Sequence, residues 1–508
     1  MNLAKLRVAD WSEARIGAFL FVALWLTYGF LAGDFLNSNS VTRMALIFSI
    51  IDQHSLTLGD FARLTVDKAL IDGTYYPDKP PGLSFTALPF VAVLTWAARA
   101  LHFAAQPIVD GQVSMFFRLA TFVASLFTSG LFTALTAVVF YRLARHWRAS
   151  RSAALYGTLG FAVATPMLGW ASVFFAHATA GACLFLAFAG IVLGAEQPAS
   201  PRRDARNGFL VSLLLAWAMV VEPTAAPAAA LIAAFGVWTL RGMAARRGVL
   251  IAGMVTLGVI LAALPMPLYN AASYGSAFHM GYENSVAFPG HHQGFVGVSW
   301  PRPEILYELI FGGYRGILWF APLVAAAPFA YWATFRTLPL ATALTLLGVP
   351  VAYFLAISGF IYWWGGWTTG PRYVAPSLPF LIMPLVFLWQ RAGEGARLAL
   401  AGLAVVGAAD ALVCASVSMI APEQYANPLL DFVFPIFVRG GVRNLLTLAG
   451  LHGRFTLAAI PVLWLAVAAI VAATAPGAPT ALPAAARFEP PRRNRQSPPT
   501  KARSAKRG

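Results

Sequence analysis

The chain has 508 residues, of which 59% are hydrophobic and 11% charged, against roughly 25% charged in an ordinary soluble domain. With a mean hydropathy of +0.68, this excludes a soluble enzyme, a disordered chain and a disulfide scaffold, and indicates an all-α polytopic membrane protein. The net charge of +16 does not point to nucleic acid, because the excess lies in short loops and a C-terminal tail, where topology signals belong.

The first apolar run, Ile16 to Leu31, follows Lys5, Arg7 and Arg15. Leu31-Ala32-Gly33-Asp34 is a poor cleavage site, so this run reads as an uncleaved first helix with a cytoplasmic N-terminus. Eleven further spans are expected near 115–140, 152–170, 178–195, 208–222, 224–240, 248–268, 315–333, 338–358, 374–390, 398–420 and 456–475. The apolar run 83–101 is left out for a topological reason. If it crossed, the basic clusters Arg142/Arg145/Arg148/Arg151, Arg202/Arg203/Arg206 and Arg241/Arg246/Arg247 would all face outward. It is expected at the outer interface instead. About twelve spans then place both termini inside, with a first outer loop at 33–114 and a large outer loop at 269–314. Cys183 and Cys414 fall inside apolar runs and read as small hydrophobes.

The first outer loop holds Asp34, Asp52, Asp60, Asp67, Asp72 and Asp78, with Arg43, Arg63, Lys68 and Lys79 among them. Within it, Arg43 to Asp52 has helical apolar periodicity and is expected to lie along the membrane surface. In Tyr75-Tyr76-Pro77-Asp78-Lys79-Pro80-Pro81-Gly82 the prolines and glycine fix the backbone. Lys79 there sits at the depth of a lipid phosphate, although a lysine snorkelling from a rigid turn is the simpler reading.

His177 and Glu222 are isolated polar residues at the outer ends of spans, where ionisable groups are often functional. The loop from Tyr269 to Arg315 carries Tyr274, His279, Tyr282, Glu283, His291, His292, Trp300 and Arg302, and is expected to be a mobile lid or an acceptor-binding loop. The His291-His292 pair lacks a second pair at ligand spacing, and no residue is assigned to a metal. The acidic first loop has oxygen ligands for a divalent cation, so that cofactor stays open.

Further on, Tyr362-Trp363-Trp364-Gly365-Gly366-Trp367-Thr368-Thr369-Gly370-Pro371-Arg372-Tyr373 places Arg372 in a turn that opens the next span. An arginine beside free backbone N–H groups suits a phosphate or a sugar. Residues 1–475 form one membrane module. Residues 476–508, rich in Pro, Ala and Arg, read as a disordered cytoplasmic tail drawn to anionic lipid.

The Asp78-Lys79-Pro80-Pro81-Gly82 motif after an acidic first outer loop resembles the GT-C glycosyltransferases. More narrowly, it is similar to the bacterial relatives of protein O-mannosyltransferases and lipid A aminoarabinose transferases. The resemblance covers the first 200 residues; the Gly-Pro-Arg-Tyr turn at 370–373 also suits bacterial members. It implies a GT-C-like fold with juxtamembrane helices in the first loop. It also implies an inverting transfer of a hexosyl or pentosyl group from a polyprenyl monophosphate carrier to a lipid, glycan or protein acceptor, such as lipopolysaccharide. The site would face outward from a bacterial inner membrane.

The family's catalytic aspartate lies in an Asp-Glu-x-Arg-Tyr segment, whose counterpart here is Ser40-Val41-Thr42-Arg43-Met44. Arg43 aligns, but Ser40 replaces the acid, so the base is assigned to Asp34, with Asp67 in reserve. Arg43, Lys79 and Arg372 would hold the donor phosphate. Asp78, Tyr76, His177, Glu222 and Trp367 would line the substrate cavity. The alternatives are a lipid-linked glycan flippase or transporter, and a non-catalytic lipid-binding scaffold.

Overall fold

The computed structural model describes residues 11–195, 200–241, 245–294 and 296–474. The expected tail at 476–508 lies outside them. The described chain is helical apart from two short hairpins. Among the described residues nine helices are long and apolar enough to cross a membrane, and a bent pair, Arg372–Ile382 with Pro384–Arg391, adds a tenth candidate. The chain is a multi-pass membrane protein.

Eight of the nine coincide with expected spans. The remaining expected spans are shorter or broken, and prolines mark the breaks. Pro166 separates Arg151–Val163 from Met167–Trp170. Pro322 opens a 3-10 turn between Ile317–Phe320 and Ala327–Phe335. Pro223 opens a similar turn before Ala226–Thr239, and Pro384 starts the second half of the bent pair. A proline ring removes one backbone donor and clashes with the preceding turn, which apolar periodicity does not reveal.

The ninth long helix is α3 (Gly82–Ala100), the run expected to lie at the interface. It runs beside α2 (Ser38–Gln53) in the same direction. Ser84 Oγ donates to the Arg43 carbonyl near their starts, and Arg99 pairs with Asp52 at their ends. Gly82 is a close-approach position, since a Cβ there would come within 2.5 Å of the Val220–Val221 backbone. The following helix, Met115–His146, has 32 residues. At 1.5 Å per residue it exceeds a hydrocarbon core of roughly 30 Å. Its first turns pack against α2 and α3 through Phe116 and Phe117.

Helix α2 differs from expectation. Asn37 caps it by accepting from the Ser40 N–H. Its apolar face does not rest on lipid: Met44, Ile47 and Phe48 are buried with Leu83, Ala87, Phe116 and Phe117. The long α1 (Glu13–Phe30) and the first turns of α2 thus meet at a corner, residues 31–37.

The hairpin of β1 (Lys68–Ile71) and β2 (Thr74–Pro77) pairs Lys68 with Pro77. Asp72 and Gly73 make its turn, with φ of 48° and 77°. Both values fit the primed turn that a two-residue Asp-Gly loop favours. This register brings Asp67 and Asp78, one residue beyond each strand, to the same end of the hairpin.

The loop at 269–314, expected as a mobile lid or an acceptor-binding loop, is stitched to its neighbours at both ends and forms a strap. Val286 N–H donates to the Lys68 carbonyl, and Ser285 forms a bridge with Ala69. At its other end Val298 bridges Phe360, and the Ile361 N–H donates to Gly297.

Candidate active site

These elements surround a cavity of about 1440 Å³. Its wall combines the α1–α2 corner, the hairpin base, the start of the helix Ala176–Ala195, residues 222–227, the strap and the Trp-Gly turn. Eight of the ten sequence-derived site residues line it: Asp34, Arg43, Asp67, Lys79, His177, Glu222, Trp367 and Arg372.

Two do not. Tyr76 packs its ring edge-on against Tyr274, with centroids 6.2 Å apart, in a side cluster with Tyr269 and Leu46. Strand alternation turns it away from the hairpin face that meets the cavity. Asp78 is fully buried behind Lys79 and supports the site without lining the main cavity.

Lys79 is the hub of the hairpin base. Its Nζ lies 3.3 Å from Asp67 Oδ1 and 3.2 Å from Asp78 Oδ2, and 5.3 Å from the ring centres of both Tyr282 and Phe288. Burial alone would lower the ammonium's pKa, but Asp67 and then Asp78 outweigh it, and the net direction is upward. Burial pushes the Asp78 carboxyl up to about 6, against the pull of Lys79. Its Oδ2 also accepts from Ser285 Oγ, while Oδ1 has no partner.

Asp67 differs from its neighbour in facing the cavity. Thr42 Oγ1 donates to its carbonyl at 2.7 Å, and its N–H donates to Thr65 Oγ1. The backbone is thereby fixed. The carboxylate gives one oxygen to Lys79, and its second oxygen has no hydrogen-bond partner among the described residues.

Asp34 is placed otherwise. Its backbone is left-handed, φ 51°, and both oxygens are engaged. Ser418 Oγ donates at 3.0 and 3.1 Å, the Met419 N–H at 2.8 Å and Arg443 at 2.7 Å. It is a latch between the α1–α2 corner and the end of the helix Glu394–Val417.

Arg43 is buried. Its guanidinium donates to Asn39 Oδ1 and to the Pro80 carbonyl, so α2 and the Lys-Pro-Pro turn are cross-linked. Arg372 donates to Tyr373 Oη, stands 5.3 Å from the Phe175 ring centre, and keeps a buried Nε without a partner. Gly365 and Gly366, with φ of 83° and 67°, form the turn that approaches it. Among the described residues no carboxylate lies within 4.0 Å of either arginine.

Opposite them, His177 Nδ1 and Glu222 Oε2 are 3.6 Å apart, too long for a good hydrogen bond. Burial raises the Glu222 pKa, with Arg43 and Arg372 as the main opposing charges.

Sequence reasoning missed several wall residues. Glu423 accepts from the Trp364 indole at 3.0 Å. Arg443, Asn444 and Arg118 also line the cavity. No local motif marks them. Tyr282 and His291 were noticed only as loop residues. His291 packs among Tyr282, Tyr362 and Phe360, and burial lowers its pKa to about 4. Among the described residues no three His, Cys, Asp or Glu side chains converge. Asp67 and Asp78 share the Lys79 ammonium.

No protein-family model and no curated protein sequence matches the chain. Solved structures do. ArnT from Cupriavidus metallidurans bound to undecaprenyl phosphate is 15% identical with a TM-score of 0.51, over 89% of this chain and 74% of that one. Its apo state gives a TM-score of 0.48 at 15% identity, over 91% and 74%. The archaeal oligosaccharyltransferase AglB from Archaeoglobus fulgidus, in complex with an inhibitory peptide and a dolichol-phosphate, gives 0.43 at 11%, over 82% and 57%. The ArnT complex carries the assignment of fold: this chain shares the overall fold of that structure.

Proposed function

From that fold and this cavity, we propose an integral membrane glycosyltransferase that takes a sugar from a polyprenyl monophosphate carrier. The observation that carries the reading is the cavity's charge arrangement. Arg43 and Arg372 face it without a carboxylate partner, beside Lys79 and the open oxygen of Asp67. Buried cations that lack an anion suit a phosphate. The undecaprenyl phosphate bound to ArnT supports this choice of ligand.

In the proposed reaction an acceptor hydroxyl oxygen attacks the anomeric carbon. The new carbon–oxygen bond forms as the bond from that carbon to the phosphate oxygen breaks, with inversion. Asp67 takes the hydroxyl proton. Arg43, Lys79 and Arg372 stabilise the charge that grows on the leaving phosphate. We assign Asp34 to the latch rather than to the base, because its four hydrogen bonds leave no oxygen free for a proton. His177, Glu222 and Trp367 border the space for the sugar and the acceptor. The acceptor would be an envelope glycolipid, glycan or protein at the outer face of a bacterial inner membrane, with both termini inside.

The test is native mass spectrometry of the purified protein. A co-purified polyprenyl monophosphate, bare or carrying one sugar, is expected. A diphosphate-linked oligosaccharide, or no isoprenoid, would overturn the reading. Ser40 favours one second reading, a lipid-binding chain without catalysis. It is buried and donates to the Phe174 carbonyl, so no carboxylate stands at that position of α2. Retained carrier lipid with no transfer to any acceptor fraction would select it.

A further inference from the structure

The cavity's charges pair unevenly. Asp34 is matched by Arg443, and Asp67 by Lys79. Glu222 faces His177, and Glu423 takes the Trp364 indole. Arg43, Arg372 and a third arginine, Arg118, have no carboxylate within 4.0 Å among the described residues. The first two serve the inner site. Arg118 has no role there.

Arg118 stands in the first turns of Met115–His146, the part of that helix that packs against α2 and α3. It is exposed yet lines the cavity together with Leu36 and Val66, which are 42% and 56% exposed. On its own helix it is flanked by Met115 and Leu119, 77% and 46% exposed. Snorkelling accounts for an arginine near a helix end. It does not account for one on a cavity wall that is shared with exposed apolar side chains. An ionisable group so placed marks a route for a charged ligand, and a guanidinium selects phosphate.

We propose that Arg118 guards a side entrance to the cavity, where it is the first contact for the phosphate of a membrane-embedded phosphate monoester. The lipid's chain would stay in the outer leaflet along Leu36, Val66 and Leu119. Its phosphate would pass from the exposed Arg118 to the buried Arg43 and Arg372. This rests on the carrier-lipid reading above and adds to it a path and an entry residue. A charge at the rim of a binding site acts chiefly on the association rate.

The experiment uses the full chain in nonionic detergent, with undecaprenyl phosphate as probe and native mass spectrometry as a time course. In Arg118→Gln, loading should slow by about tenfold, while final occupancy stays within about twofold of the unaltered protein. Arg118→Lys should recover most of the rate. Added salt should narrow the difference, because the group is exposed. Undecaprenol, which lacks the phosphate, should load equally in both, and inorganic phosphate should not compete.

Equal loading rates in Arg118→Gln and the unaltered protein would overturn the entrance while leaving the carrier-lipid reading intact. Competition by inorganic phosphate that disappears in Arg118→Gln would make this a free-anion site and overturn the lipid path. If the unaltered protein takes up no undecaprenyl phosphate, the carrier-lipid reading falls, and the entrance with it.

Discussion

The ammonium of Lys79 lies 3.3 Å from a carboxylate oxygen of Asp67, a residue twelve positions earlier in the chain. The hairpin creates this contact. Its Lys68–Pro77 register sets Asp67 across from Asp78, and Lys79 follows directly. The tight Asp72-Gly73 turn thus fixes a charge pair at the cavity wall that no span contributes.

Asp67 and Asp34 should separate chemistry from architecture. Asp67→Asn should lower the single-turnover transfer rate by about 10²–10⁴-fold, the usual weight of a general base, while carrier lipid stays bound. Asp34→Asn keeps a side chain that tolerates the left-handed backbone. It should cost about 1–3 kcal/mol of stability through weakened bonds to Ser418, Met419 and Arg443, and leave transfer within about threefold. If Asp34→Asn stops transfer in folded protein and Asp67→Asn does not, the two roles are reversed.

Arg372→Ala should weaken binding of undecaprenyl phosphate roughly 10–100-fold, from about 1.5–3 kcal/mol for hydrogen bonds to a charged group. Because Arg372 has no carboxylate partner, thermal stability should change little. Lys79→Ala should differ: it leaves Asp67 and Asp78 facing each other without a cation, and so should lower both binding and melting temperature. Equal stability losses in the two variants would contradict the pairing described for the wall.

Asp78 gives a pH signature of known sign. Burial raises its pKa from 3.8 to about 6. Between those values the unfolded chain has lost this proton and the folded chain keeps it, so the unfolded state binds fewer protons. Stability from this group therefore falls as pH rises from about 4 to about 6, then levels off. Measured as the melting temperature of the unaltered protein minus that of Asp78→Asn, the difference should decline through that window. A difference that is flat or rises there would contradict the assignment.

Membrane topology can be read with single cysteines, since Cys183 and Cys414 are both buried. A membrane-impermeant thiol reagent added outside intact cells should label Ser276→Cys on the strap and leave Ser152→Cys untouched. Ala100→Cys, at the end of α3, decides that helix: labelling from outside fits an interfacial α3, and labelling only after permeabilisation would mean that it crosses.

The sequence by itself carried whatever depends on local chemistry. Hydropathy marked the long spans, isolated polarity marked His177 and Glu222, and Pro/Gly-fixed turns marked Lys79 and Arg372, all four of which reach one cavity. The Asp-Lys-Pro-Pro-Gly motif pointed to the fold that the structural match with ArnT supports. Even the hairpin had a local sign, an Asp-Gly pair between residues that favour strands.

Tertiary structure decided what depends on distance along the chain. Asp34 and Asp67 look equivalent as acids in one loop. One meets Ser418 across 384 positions and becomes a latch; the other keeps an oxygen facing the cavity. Arg118 reads locally as one more interfacial arginine, and only packing puts it on the cavity wall. Burial of apolar surface needs no particular partner, so it shows in composition and period. A hydrogen bond or ion pair needs its partner at a set distance and angle, and only the folded chain supplies that.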